Sequence, residues 1–189
     1  MIFRYPLIAT MLCLSFAGDS LAESFTIDSK HTFPSFEISH IGFSTQRGRF
    51  DHTTGIIKLD SKNEMGFIHI SIDANSIDTG LPELEEKLRG EDIFNISKYP
   101  YITFDANKIK FTGDNPVAAE GRLSLLGVSK PVLLTIEQYH CGVHPINKRN
   151  VCGADATALI KRSDFGMNAL LPLIGDEVKI KIQVEAFLD

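Results

Sequence analysis

The sequence predicts an all-β protein whose strands form one antiparallel barrel. Nearly every segment after residue 22 alternates apolar and polar residues, and this period of two places successive side chains on opposite faces of a strand. The alternation is clearest in VKIKIQVEAFLD, residues 178 to 189. Short turn-forming segments separate about eight such strands, and a meander of this size avoids exposed edges best by closing on itself. A two-sheet sandwich is the structural alternative.

Strands and one short helix follow one another along the chain. The predicted strands lie at residues 24–28, 35–43, 45–60, 66–78, 101–111, 119–126, 130–140, 153–165 and 178–189, and Pro34 separates the first two. The helix is predicted in LPELEEKLRGEDIF, residues 81–94, because leucines recur there at helical spacing and Pro82 suits a first turn. Gly90 is expected to end this helix.

The first 22 residues have the pattern of a secretory signal peptide. Arg4 precedes the apolar run LIATMLCLSFA, and the small residues Ser20 and Ala22 follow it at the positions of a cleavage site. The run is well short of the ~20 apolar residues that span a bilayer, which argues against a retained anchor. A lipoprotein is also disfavoured, because Cys13 lies inside the apolar run. We therefore expect cleavage after Ala22 and a periplasmic protein.

The remaining chain, residues 23–189, fits one domain of ordinary size. The formal net charge is −5, and acidic and basic residues are interspersed without a basic run. This charge supports solubility and argues against nucleic acid or an anionic membrane surface as a partner.

Two cysteines follow the leader, Cys141 and Cys152, at the ends of CGVHPINKRNVC. In an oxidising compartment such a pair is most simply a disulfide. A metal site is the alternative, because His140 and His144 lie beside Cys141, but structural zinc usually has two closely spaced ligand pairs and Cys152 has no second partner nearby.

Several segments together resemble the YceI-like family of secreted, lipocalin-like proteins. The resemblance rests first on LRGEDIFNISKYPYITFDANKI, residues 88–109, and EGRLSLLGVSKPVLLTI, residues 120–136. The opening FTIDSKHTFPSFEISHIGFSTQRGRFDHTTGIIKLD and the later IKRSDFGM also fit, in the same order and spacing. The disulfide departs from the pattern, since many relatives lack it.

The resemblance implies an extended eight-stranded antiparallel lipocalin-like barrel with one short helix, enclosing a long apolar pocket. Family members are known as polyisoprenoid-binding proteins that hold a prenyl quinone, a prenyl phosphate or a fatty chain, often as dimers. Some lie beside membrane cytochromes of the b561 type. A bound long-chain lipid is therefore expected and no other cofactor.

The resemblance also places a set of apolar side chains on the barrel interior, where they line the lipid site or pack as core. They are Phe36, Ile38, Phe43, Phe50, Ile57, Ile68, Ile70, Ile72, Ile102, Phe104, Leu123, Leu125, Leu134, Ile180 and Ile182. Small residues are expected to leave room along the axis. These are Ala74, Ala106, Ala118 and Ala186.

His40, Arg49 and Arg89 are the candidates for contact with a polar head group, because guanidinium suits phosphate and both side-chain types can donate to a quinone oxygen. For Arg89 the alternative is an ion pair with Glu85 or Asp92.

Catalysis and metal binding are not predicted. The histidines are scattered without a helical pair or an HExxH motif, and no serine has the G-x-S-x-G frame of a nucleophile. The sequence thus predicts a periplasmic protein that sequesters or carries a long-chain lipid, most simply a polyisoprenoid. The alternative is a non-catalytic interaction module with a filled core that supports a membrane redox or stress system.

Overall fold

The structure is a computed structural model that describes residues 22–189, so the predicted leader lies outside the described residues except for Ala22. Within these residues, eleven strands and one α-helix follow one another. Their bounds are β1 Glu23–Ile27, β2 Phe33–His40, β3 Ser44–Phe50, β4 Thr53–Asp60, β5 Met65–Asp73, β6 Ile77–Asp78, α1 Pro82–Arg89, β7 Tyr101–Thr112, β8 Asn115–Leu125, β9 Val128–Val143, β10 Asn150–Lys161 and β11 Ile174–Leu188.

Eight of these strands form a closed antiparallel ring. Hydrogen bonds join them in the order β1, β4, β5, β7, β8, β9, β10 and β11, and β11 pairs back onto β1. Beyond β1, β4 and β5 the barrel wall continues in β2, β3 and β6. Strand β2 also pairs with β11, β3 pairs with β2, and β6 pairs with β3. The predicted barrel of eight long strands is confirmed, and the sandwich is not formed.

Strands β1 and β2 both pair with β11, and the chain between them does not continue as a strand. At this interruption the side chain of Thr32, in place of a strand backbone, bonds to β11. Its buried hydroxyl donates to the Glu185 carbonyl and accepts from the Glu185 amide, each at 3.1 Å. The Glu185 carbonyl also accepts from the Asp28 amide at 2.9 Å, so Thr32 adds a second donor to this carbonyl and supplies the acceptor for the Glu185 amide. The wall therefore stays continuous across the break.

Helix α1 lies between β6 and β7 at one end of the barrel. Pro82 occupies its first turn and the helix stops at Gly90, as the sequence predicts. Arg89 fixes it to the wall by donating to the carbonyls of Asn75 and Ile77, each at 3.0 Å, while Leu88 packs against the core. No helix among residues 22–189 is long and apolar enough to cross a membrane.

The two ends of the barrel carry different structures. The helix end has α1 and the turns at residues 40–44 and 161–174. The disulfide end has the two chain termini of the ring and the hairpin between β9 and β10, where Cys141 and Cys152 are bonded and their Cα atoms are 4.0 Å apart. The predicted disulfide is therefore present.

Cys152 also closes the disulfide end from inside. It packs against a small buried cluster of Phe25, Ile27 and Ala186. The hydroxyl of Tyr139 lies 3.0 Å from the Cys141 sulfur, and burial raises the pKa of this phenol. Packed side chains therefore fill this end of the barrel.

We expect the disulfide to stabilise the fold mainly by restricting the unfolded chain. The bonded cysteines are 11 residues apart, and closing a loop of that length contributes about 3 kcal/mol. Replacing both residues, Cys141→Ser with Cys152→Ser, should lower the free energy of unfolding by about this amount in urea titrations. Wild-type protein treated with dithiothreitol should match the variant, and the variant should not respond to the reductant. Equal stability of oxidised and reduced protein would contradict this role.

Candidate lipid site

The inward face of the barrel carries the predicted lining residues, with one exception. Strand pairing sets Ile57 opposite Ile68, Phe104 opposite Leu123, and Ile180 opposite Phe36, and each pair points to the same side of the sheet. By the same registers all the predicted lining residues except Phe43 lie on the inner face. Their contact with a ligand remains a prediction.

The two halves of the inner wall differ in how completely they are packed. On β5, β7 and β8 the inward side chains are buried in the main core cluster. This group includes Ile68, Ile72, Ile102, Phe104, Ala106, Leu123 and Leu125. On β9, β11 and β2 most of the inward apolar side chains are only half-buried. This second group includes Val132, Leu134, Ile136, Val178, Ile180, Ile182, Phe36 and Ile38.

Strand β10, in the middle of the second half, presents a row of alanines to the interior. Ala154 pairs with Val184, Ala156 with Ile182, and Ala158 with Ile180. A methyl group at each position leaves space that a larger side chain would fill. Ala156 and Ala158 are themselves buried, while the inward residues of β9 and β11 beside them are half-buried. We name Ala154 to Ala158, with these neighbours on β9 and β11, the alanine strip.

Sequence reasoning missed this strip, although GADATALIK carries the signal. Alanine at every second position of a strand is a periodic pattern like that of larger apolar residues. Of the small residues that were predicted to leave room, Ala74, Ala106 and Ala186 are buried. Ala118 is a correction: Leu123 and Ala119 lie on the inner face, so simple alternation along β8 points Ala118 outward.

Phe43 is the second correction, because its side chain is 91% exposed. Strand β2 ends at His40, and Ile41 and Gly42 follow with positive φ angles of 53° and 74°. These left-handed residues reverse the chain, and the Phe43 amide donates to the His40 carbonyl at 3.0 Å. The ring therefore projects from a turn at the helix end and not into the barrel.

The head-group candidates are not brought together. Arg49 points outward, where its guanidinium lies 2.8 Å from Asp51 and 3.5 Å from Asp78. Arg89 is occupied with the backbone of the adjoining segment, and it also lies 3.6 Å from Glu85, which is the alternative pairing. His40 is exposed at the helix end, beside the turn of Phe43.

The wall opens between β9 and β10 at the helix end. Their pairing stops at Thr135 and Thr157, although β9 begins at Val128 and β10 continues to Lys161. A cavity of about 260 Å³ lies in this gap. Its lining residues are Lys130, Pro131, Val132, Leu159, Ile160, Lys161, Asp164, Phe165 and Glu177. Phe165 is buried there, so one aromatic ring fills the inner part of the gap.

Arg162 fixes the segment that follows the gap. Its buried guanidinium donates to the carbonyls of Gly175 at 2.8 Å, Met167 at 2.9 Å and Ile174 at 3.0 Å. Burial lowers the pKa of Arg162, and the charge of Asp176 opposes that change. The backbone amide and the hydroxyl of Ser163 both donate to Asp176 and hold the pKa of its carboxyl below the usual value.

Other polar groups lie on the outer surface. A groove of about 650 Å³ crosses the outside of β7 and β8, and charged residues such as Asp105, Lys108 and Arg122 line it. Near the break between β1 and β2, the side chains of Asp28, His31 and Glu185 each have an atom of a type that can bind a metal ion. These three atoms lie within 4.8 Å of one another. His31 is 2.8 Å from Asp28, and this hydrogen bond raises the pKa of His31. Neither site adjoins the alanine strip.

Fold and site together define a class of protein. It is a closed antiparallel barrel with an apolar interior, packed at the disulfide end and bordered by a helix and a gap in the wall at the other end. The family model of the YceI-like domain matches residues 25–186, and the chain belongs to this family. It is similar to a UPF0312 protein of Pseudomonas aeruginosa, with 34% identity over 172 residues and 89% of each chain covered.

Two solved structures share the fold. Burkholderia cenocepacia BcnA is similar with a TM-score of 0.70 and 24% identity, over 84% of this chain and 98% of that one. A polyisoprenoid binding domain from Saccharophagus degradans, implicated in plant cell wall breakdown, is similar with a TM-score of 0.66 and 18% identity, over 87% and 98% of the two chains.

Replacing Arg162 should loosen the helix end. In Arg162→Ala three carbonyls lose their donor, and we expect the free energy of unfolding to fall by about 3 kcal/mol in urea titrations. The exposed neighbour provides the matched control, because Lys161→Ala should change stability by no more than about 0.5 kcal/mol. Identical unfolding curves for Arg162→Ala and Lys161→Ala would show that the three hydrogen bonds do not hold this segment.

Proposed function

We propose that this protein is a periplasmic carrier that holds one long-chain lipid, most simply a polyisoprenoid, along the alanine strip. The observation that carries the proposal is the contrast between the two halves of the inner wall. Inward apolar side chains of β9 and β11 keep solvent-accessible surface beside the row of alanines on β10, while those of β7 and β8 are buried. Apolar surface in contact with water inside a barrel is stabilised when an apolar chain covers it.

The length of the barrel favours an extended ligand over a compact one. Strand β11 has 15 residues and so rises roughly 50 Å, which gives a barrel about 38 Å tall at a tilt near 40°. The alanine strip rises about 13 Å from Ala154 to Ala158. The inward Ile38 and Val178 continue the apolar lining toward the helix end, so a prenyl chain can lie extended along both. Each Å² of apolar surface that it removes from water contributes about 25 cal/mol, so a long chain gains affinity in proportion to the length covered.

The comparison with the Saccharophagus degradans domain supports the choice of an isoprenoid. That domain is described as polyisoprenoid binding, and the two chains share the fold across most of their lengths. Fatty chains have the same apolar chemistry, so they are the second ligand class to test. Phosphate or quinone head groups would lie at the helix end, where His40 is exposed.

The proposed mechanism is transfer out of water and not catalysis. Binding replaces hydration with an apolar lining, and helix α1 covers part of the helix end. Export through the leader would place the carrier in the periplasm. A cytochrome of the b561 type and a second copy of the chain remain proposed partners, on the resemblance to the family alone.

The first experiment is mass spectrometry of an organic extract from natively purified protein, with Ala156→Phe extracted in parallel. A phenylalanine at this inward position would occupy the strip, so we expect roughly one lipid per wild-type chain and much less in the variant. On this proposal the ring takes the place of the lipid chain, so the melting temperature should change little. Leu159→Phe is the matched control, since Leu159 lies on the same strand and is exposed, and it should retain the lipid.

The opposite result would favour a filled barrel. Only trace lipid in the wild type, together with destabilisation of Ala156→Phe by about 1–3 kcal/mol from overpacking, would contradict the carrier and favour the interaction module.

A further inference from the structure

Four large apolar side chains in the turns after β2 and before β11 project from the helix end into solvent. Ile41 is 47% exposed, Phe43 91%, Leu170 63% and Leu173 60%. We call these four residues the apolar rim. Exposed apolar residues grouped at one end of a domain usually mark a contact surface, whereas single ones are ordinary.

The rim is one surface because its two turns are bonded to each other. The Ile41 amide donates to the Leu173 carbonyl at 2.8 Å, which joins the turn after β2 to the turn before β11. Within the second turn, the Ile174 amide donates to the Leu170 carbonyl at 2.9 Å. Arg162 holds the base of this turn through the Met167 and Ile174 carbonyls. The rim side chains therefore extend from a fixed base.

The segments that carry the rim residues lack charged side chains. The segments are ISHIGFSTQ, residues 38–46, and GMNALLPLIG, residues 166–175, and His40 is their one titratable side chain. A partner with an acidic or basic surface would find no complementary charge here. An aromatic ring and three aliphatic side chains at the tips of uncharged turns suit the boundary between lipid head groups and acyl chains.

The rim also continues into the proposed lipid site. Strands β2 and β11 carry both turns, and their inward residues Ile38 and Val178 are paired just inside the helix end. A lipid that leaves the alanine strip in this direction meets the rim before it meets water. The opposite end offers no such passage, because the cluster around Phe25 and the disulfide close it.

We propose that the apolar rim docks this protein onto a lipid bilayer, so that the helix end faces the membrane while the long-chain lipid enters or leaves. The inference rests on the proposed function for its purpose, but docking is a separate property of the rim. Attachment is driven by burial of apolar side chains and not by charge, so it should depend little on anionic lipid or on salt.

Ile146 provides a matched control at the disulfide end. It is 85% exposed and lies in the hairpin between β9 and β10, beside Lys148 and Arg149. A protein that adsorbed to membranes through any exposed apolar residue, or through basic residues, would use this hairpin. The proposal predicts that it does not.

The chain contains no tryptophan, so one introduced indole reports on its own position. Phe43→Trp should show a blue-shifted emission when phosphatidylcholine vesicles are added, and quenchers attached to the acyl chains should reduce its fluorescence. Ile146→Trp should show neither change. A blue shift of Ile146→Trp alone would overturn the proposal, and so would unchanged emission of both variants.

A second experiment measures vesicle binding after two rim side chains are replaced. The double variant Phe43→Ser with Leu173→Ser removes two exposed side chains, so the fold should keep its melting temperature. Its partition onto vesicles in sedimentation assays should fall at least about tenfold, whereas Ile146→Ser should bind like wild type. Added phosphatidylglycerol or salt should change wild-type binding little. Equal sedimentation of the double variant and wild type would refute docking through the rim.

The same preparations separate docking from lipid carriage. Vesicle binding without an extracted chain would leave docking in place and remove the carrier function. An extracted chain without vesicle binding would keep the carrier and overturn the docking. A double variant that retains its lipid but delivers it to vesicles more slowly would support both.

Discussion

The hydrogen-bond ladders on both sides of β11 are the constraint on which the rest of the structure depends. One side of β11 pairs with β10 from Val151 to Lys161, and the other pairs with β2 and then with β1. This second ladder joins the first and last strands, so the sheet has an inside and an outside. Alternation along each strand then places each side chain on the inner or the outer face. A slip of one residue in the pairing would move all of them to the opposite face.

Closure alone does not produce a site, because a barrel of eight strands can be filled by its own side chains. The distribution of side-chain size around the ring makes the difference. Large residues on β5, β7 and β8 pack into a core, while β10 presents only methyl groups to the strip between β9 and β11. One half of the inner wall therefore forms a packed core, and the other half leaves apolar side chains partly accessible.

Period-two alternation predicted the strands, and the need to avoid exposed edges favoured a closed barrel over a sandwich. The inward placement of the lining residues came from the resemblance to the family. Turns and irregular pairing followed other rules. Phe43 is out of phase with the inward Phe36 and Ile38 of β2, and the left-handed backbone of Ile41 and Gly42 directs it into solvent. Ala118 is likewise out of phase with the inward Leu123, and Arg49 forms ion pairs with carboxylates on the outer face.

The gap between β9 and β10 could not be predicted, because alternation does not show where two strands separate. The role of Arg162 could not be predicted either, because it depends on carbonyls that only the fold brings near it.

The proposed function requires that the alanine strip holds a lipid chain. It is tested most directly by a high-resolution crystal structure of protein purified without lipid extraction. If the strip holds a lipid chain, the electron density will show an elongated feature against Ala156 and Ala158. Side chains of β9 and β11 that close over these alanines and contact each other, with no such density, would contradict it.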